Sequence, residues 1–140
     1  MFKFFANGPK QKNVSCSDLD AIAASMAGDI VFKAYPATVS TAHTGTARTR
    51  KVRVQLETAA GAVHTWFNKA ITTGVSIADS STGTATIAST TLTFVNGIAS
   101  VTVSLNAATW AIADTDTLTV PQATVLGATV AAVTSVETFT

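Results

Sequence analysis

The sequence predicts an all-β protein, a sandwich or barrel of about seven short strands. Three observations carry this. From about position 36, Thr, Val and Ile alternate with small or polar residues, and branched side chains pack well on pleated strands while losing χ1 freedom in helices. Turn residues break those runs at short intervals. Only 12% of the 140 residues are charged against 47% hydrophobic, a composition for one packed domain with a weakly charged surface.

Residues 1–35 stand apart and are expected to form an arm or subdomain with a short helix. Ser17 can cap that helix, with Asp18 and Asp20 in its first turn; Leu19, Ile22, Ala23 and Met26 then form one apolar stripe, and Gly28 offers a stop. The spacing predicts a helix near 18–27. Ile30-Val31-Phe32 continues as a strand before Tyr35-Pro36, and residues 36–140 make the sandwich.

Asn96-Gly97 is the strongest hairpin signal in the chain, because both residues tolerate the positive φ of a type I′ turn. A ribbon over Thr90–Leu105 would pair Val95 with Ile98, Phe94 with Ala99 and Leu92 with Val101. Its dry face would carry Leu92, Phe94, Ala99, Val101, Val103 and Leu105. A second ribbon covers Lys51–Phe67: Val52, Val54 and Leu56 alternate with Lys51, Arg53, Gln55 and Glu57 ahead of the turn Thr58-Ala59-Ala60-Gly61. An even loop sends Trp66 outward near Arg53 or Gln55, an odd loop turns Trp66 and His64 inward, and a four-residue loop is preferred. Further strands are expected near Gly74–Ile77, Thr84–Ala88, Thr117–Val120 and Thr129–Phe139.

All nine basic residues precede position 70, alongside four of the eight acids, so that part carries a net +5 and the remainder −4. Read as a dipolar particle, the chain has a basic docking end suited to an acidic protein surface or a neighbouring copy. Nucleic acid is not the expected partner, since the domain is neither strongly basic nor lined with an aromatic basic face. Cys16 is alone, so no internal disulfide forms. The stretch Met1–Pro9 is too short an apolar run for a signal peptide, and no run reaches the length of a membrane span, so a chain that is neither exported nor membrane-bound is expected.

No reaction chemistry stands out, and the chain is not expected to be an enzyme or to hold a cofactor. His43 and His64 lack companions at metal-ligand spacing, Asp114-Thr115-Asp116 lacks the other ligands of a calcium loop, and the serines sit in no nucleophile elbow. The features with most promise are surface anchors. Phe2, Phe4 and Phe5 alternate with Lys3 in the arm, Arg50 and Arg53 lie in a basic strand, and Trp66 joins them if it faces out.

The run Gly74-Val75-Ser76-Ile77-Ala78-Asp79, followed by Leu92-Thr93-Phe94-Val95-Asn96-Gly97-Ile98-Ala99-Ser100-Val101-Thr102-Val103, resembles the bacterial Ig-like domains of adhesins and phage structural proteins. A later Asp116-Thr117-Leu118-Thr119-Val120 extends the likeness, which covers about residues 48–140. With Phe4-Phe5, Ser17-Asp18-Leu19, Arg50-Lys51-Val52 and Val63–Asn68, the whole chain also looks like small proteins of tailed-phage structural modules. The resemblance implies an Ig-like antiparallel β-sandwich on a virion surface, assembled in the bacterial host cytoplasm. Such a protein would decorate the capsid in many copies by binding the major capsid protein, another virion protein or a lattice neighbour. An adhesion or carbohydrate-binding module, with Trp66 or Trp110 stacking on sugars, is the second expectation, and a tail-tube or neck subunit the third.

Overall fold

The computed structural model describes residues 29–42, 45–80, 83–107 and 110–140. The helix expected near 18–27 lies outside them, as do Phe2, Lys3, Phe4, Phe5, Cys16 and His43. Twelve short strands run through the described residues: β1 (Val31–Tyr35), β2 (Thr38–Thr41), β3 (Arg48–Glu57), β4 (Ala70–Thr72), β5 (Ser76–Asp79), β6 (Ala85–Ile87), β7 (Thr91–Thr93), β8 (Ile98–Leu105), β9 (Thr115–Val120), β10 (Ala123–Val125), β11 (Ala128–Val130) and β12 (Val133–Phe139). The fold is all-β.

The strands form two four-stranded sheets and two small ribbons. The first sheet has the order β1-β3-β8-β6 and is antiparallel throughout. The second has the order β2-β12-β9-β5, antiparallel except that β2 runs parallel to β12. β4 pairs with β7, and β10 with β11. The chain crosses from the first sheet to the second at Tyr35–Pro36, a cis peptide. β1, assigned to the leading segment by the sequence, is therefore an edge strand of the first sheet, and that sheet begins at Val31 rather than after residue 35.

Alternation explains the core. Phe32 and Ala34 of β1, Val52, Val54 and Leu56 of β3, and Ala99, Val101, Val103 and Leu105 of β8 point inward, against Leu118 and Val120 of β9 and Phe139 of β12. Such period-2 patterning dries one face of each sheet and leaves the other wet. Trp110 stacks on Phe139 with ring centroids 4.6 Å apart, and the Arg48 guanidinium also lies over the Phe139 ring, 5.3 Å from its centroid. Gly83 lies against the Trp110 indole, where a Cβ would collide with the ring.

The Asn96-Gly97 turn is as expected: φ is 51° at Asn96 and 75° at Gly97, and Val95 bridges Ile98. All six residues of the dry face are buried. The ribbon beyond the turn is not as expected. β7 leaves to pair with β4, Phe94 N–H donates to Lys69 O at 3.0 Å, and β8 pairs instead with β3 and β6. β6 takes the second edge of β8 only at Val103–Leu105, and the Leu92 and Phe94 side chains reach the core from β7 and its continuation without a ladder to β8.

The alternation of β3 has a further result. Arg48 and Arg50 share the parity of Val52, Val54 and Leu56, so both guanidiniums enter the space between the sheets. Arg50 Nε donates to Asp116 Oδ1 at 3.0 Å, its Nη2 donates to the same carboxylate, and its Nη1 donates to Ser135 Oγ at 3.0 Å. Arg48 Nη2 and Thr41 Oγ1 both donate to Glu137 Oε1. Arg50 Nε also stands 3.1 Å from Glu137 Oε2, an ion-pair contact without hydrogen-bond alignment, because that N–H is aimed at Asp116. Asp116 and Glu137 are cross-strand neighbours on β9 and β12. Two cations from the first sheet thus meet two carboxylates from the second, and both acids are fully buried.

Burial pushes the Asp116 carboxyl up to about 6, with Glu137 adding to the rise and Arg50 opposing it. At Glu137 burial also acts upward, but the hydrogen bonds from Thr41 and Arg48, with Asp116 beside it, overcome it and hold the group below its ordinary value. The two carboxyls therefore act in opposite senses. Native Asp116 holds its proton more tightly than the unfolded chain, so its contribution is complete below the ordinary carboxylate value and is lost as pH rises to about 6. Glu137 contributes above its ordinary value and loses that contribution as pH falls.

Urea unfolding across pH separates these terms. Relative to Asp116→Asn, which mimics the protonated acid, the native chain should lose about 2 kcal/mol between pH 4 and 7. Arg50→Leu strands the Asp116 carboxylate and leaves Glu137 with Arg48 and Thr41 alone, and should cost about 3–5 kcal/mol at neutral pH, with part of the loss recovered at pH 5. An Arg50→Leu protein as stable as the native chain at pH 7 would refute this account of the cluster.

Candidate functional site

Parity divides the basic strand. Arg50, expected as a docking residue beside Arg53, has a side chain only 9% exposed, and internal carboxylates occupy it. Lys51 and Arg53 lie on the opposite, solvent face of β3, in register with Thr102 and Ser100 of β8. Lys33 and Tyr35 of β1 stand across from Gln55 and Arg53 on that same face. Three cations, Lys33, Lys51 and Arg53, thus share the outer face of the first sheet.

One acid lies among them, and it is covered. Glu57 is 2% exposed and accepts from Tyr35 Oη at 2.8 Å. With the Gln55 amide assigned so that both its ends are satisfied, its nitrogen donates to Glu57 Oε1 at 2.6 Å and its oxygen accepts from Arg53 Nε at 2.9 Å. The Arg53 guanidinium lies 5.4 Å from the centre of the Tyr35 ring, a cation–π contact that pre-positions both side chains. The Glu57 carboxylate beside the Tyr35 hydroxyl raises that phenol above its ordinary value, so Tyr35 stays protonated and remains a donor.

The outer face of the second sheet is different in kind. Thr115, Thr117 and Thr119 of β9 lie beside Thr134, Val136 and Thr138 of β12, flanked by Thr38 and Ser40 of β2 and by Ser76 and Ala78 of β5. No charged side chain of those four strands falls on this face, since Asp116 and Glu137 point the other way and Asp79 of β5, in register with Asp116, accepts from Ala85 N–H of the first sheet. One face of the molecule is cationic and the other is neutral and hydroxyl-rich.

Trp66 stands at the end of the first sheet, 52% exposed. The loop after β3 has five residues, with Glu57 bridging Val63, and then leaves the ladder through bonds from Thr65 N–H to Val63 O and from Phe67 N–H to His64 O. The loop is odd rather than the four residues expected, and His64 is turned inward as an odd loop requires, its N–H donating to Leu56 O at 2.9 Å, whereas Trp66 departs from that parity and faces out. The indole edge meets Phe67 and His64, and Phe67 in turn meets Phe94, which stacks on Phe32 in the core. An exposed ring is thereby tied to the interior.

The Asn96-Gly97 turn seats this loop. Gly97 N–H donates to Phe67 O at 2.8 Å, and Asn96 N–H donates to Asn68 Oδ1 at 2.7 Å. A Cβ on Gly97 would lie 2.5 Å from His64 O, and φ there is positive, so both the turn and the close approach require glycine. The sequence signal for Gly97 is that of a hairpin; its role as the seat of the Trp66 loop carries no signal of its own.

Trp110, the other sugar-stacking expectation, is 1% exposed and belongs to the core, so it cannot present a ring to a ligand. A cleft of about 210 Å³ between β4 and the β10–β11 ribbon is lined by Phe67, Lys69, Ile71, Val125 and Leu126 among others. Its lining gathers one cation, Lys69, with hydroxyls from Thr72 and Thr124. Among the described residues no group of three or more His, Cys, Asp or Glu could hold a metal ion, and no helix is long and apolar enough to cross a membrane. No family model, curated protein or solved structure matches this chain.

Gly97→Ala should lower stability by about 1–3 kcal/mol and alter the Trp66 fluorescence in the folded protein, because strain at one residue displaces the loop that holds the indole. Thermal melting together with native-state emission spectra checks both effects. Unchanged emission in a destabilised but folded variant would disconnect the turn from Trp66.

Proposed function

We propose that this chain is an Ig-like structural module of a tailed-phage particle, bound in many copies to the particle's protein surface through the cationic outer face of its first sheet. The observation that carries the docking reading is the pairing of faces. Lys33, Lys51 and Arg53 project from one sheet with Tyr35 set among them, whereas the opposite sheet presents a neutral, hydroxyl-rich surface. A surface of the first kind selects an acidic protein partner by charge and gains desolvated contact from Tyr35 and Trp66. Repetition over a lattice multiplies contacts that are individually weak.

The strand order supports the Ig-like part of the reading. Immunoglobulin sandwiches place strands A, B, E and D in one sheet and C, F and G in the other. The order β1-β3-β8-β6 corresponds to A-B-E-D, and β12-β9-β5 to G-F-C, with β2 as the continuation of the first strand onto the second sheet. On this layout β4, β7 and the β10–β11 ribbon are additions between the core strands. The partner proposed is the major capsid protein or another virion protein, and the arm residues Phe2, Lys3, Phe4 and Phe5, outside the described residues, are proposed as further anchors. A carbohydrate-binding role has Trp66 as its one support on the surface.

Co-sedimentation with particles assembled without the protein tests the reading. Lys33→Glu, Lys51→Glu and Arg53→Glu combined should weaken attachment about tenfold or more at low ionic strength, and raised salt should weaken the native protein likewise. Equal attachment of the native and charge-reversed proteins would overturn the assignment of this face.

A further inference from the structure

We propose that His64 is a proton-operated latch on Trp66, holding the indole in its docking pose only while the imidazole is neutral. Trp66 Nε1 donates to His64 Nδ1 at 3.2 Å, and His64 Nε2 lies 3.0 Å from the Asp29 carbonyl oxygen. An indole N–H only donates and a carbonyl only accepts, so these two partners fix the ring as the tautomer with its proton on Nε2 and its lone pair on Nδ1. A second proton has one place to go. It enters at Nδ1, where it faces the indole N–H, and two donors cannot bond to each other.

The consequence is one-sided. The bond to Asp29 O survives and gains strength, because its donor becomes charged, so the imidazolium stays anchored while the indole is released. The ring is buried, and the charged groups near it among the described residues have partners of their own. Asp29 also directs its carboxylate at Ala59 N–H, and Glu57, at the end of β3 and bridged to Val63, is held by Tyr35 and Gln55. Farther back on β3, Arg53 turns its guanidinium to Tyr35, and the Asn96-Gly97 turn packed on His64 O brings no charge. Among the described residues, the charged groups on these elements are thus Asp29, Glu57 and Arg53.

This deepens the docking reading by giving the surface a condition: Trp66 is presented to the acidic partner at neutral pH and let go on acidification. The latch is a property of the free chain, so it is tested without a partner. In the full-length 15N-labelled protein, acidified stepwise with the His64 ring signals followed alongside, the Trp66 indole N–H should shift upfield and exchange with solvent about tenfold faster in step with whatever protonation those ring signals report. The buried Trp110 indole should stay fixed. His64→Gln keeps an acceptor and a donor but cannot titrate, and should abolish the response. A Trp66 resonance that holds still while the His64 ring signals report protonation would overturn the latch, as would both indoles moving together. Co-sedimentation at pH 8 reads the docking proposal separately, since its failure there leaves the latch result standing. Attachment that is the same at pH 5 as at pH 8, with the latch open, would remove the link between the two.

Discussion

Two guanidiniums placed where alternation calls for aliphatic side chains set the terms for the whole molecule. Arg48 and Arg50 continue the inward row of Val52, Val54 and Leu56, and a charge in that position is tolerable only when paired and hydrogen-bonded. The partners, Asp116 and Glu137, come from adjacent strands of the other sheet and lie in register. Hydrophobic burial brings two dry faces together without specifying how they align. The ion pairs supply that alignment, because sliding one sheet along the other would strand four charges at once.

The same cluster reshapes what the surface can do. The sequence reads as a basic first half and an acidic second half, yet two of those bases and two of those acids neutralise each other inside. The charge separation survives only in part, as a difference between the outer faces of the two sheets. Lys33, Lys51 and Arg53 remain outside, with Glu57 covered among them by Tyr35 and Gln55. Trp66 belongs to a second system, a chain of rings running from the surface through Phe67 and Phe94 to Phe32. Its exposure is positional rather than incidental, because a glycine turn from another part of the chain holds its loop in place.

Period-2 patterning and the two residue types that accept a positive-φ turn were enough to locate the six-residue dry face and the Asn96-Gly97 hairpin. Pairing partners did not follow from them, because a strand has two edges and the sequence does not say which neighbours take them: β7 went to β4 and β8 to β3. Arg50 shows a readable signal left unread. It is three positions from Arg53, an odd spacing that puts the two on opposite faces, and the parity that buried Val52 also buried Arg50. Asp116 and Glu137 carry the same mark, sharing parity with Leu118 and with Phe139. Counting through the five-residue loop puts His64 inward, where it lies; Trp66 could not be placed that way, since the chain leaves the ladder after His64 and parity lapses there.

The hydroxyl face of the second sheet makes the molecule unequal in its response to ionic strength. Mobile ions screen exposed charges beyond a Debye length of about 8 Å at physiological salt, and they have nothing to screen on a surface of threonines. Adding electrolyte therefore mutes one side of the protein and leaves the other as it was. Any contact made by β2, β12, β9 and β5 would persist in brine that strips a partner from the opposite side, so the two sides can be released one at a time.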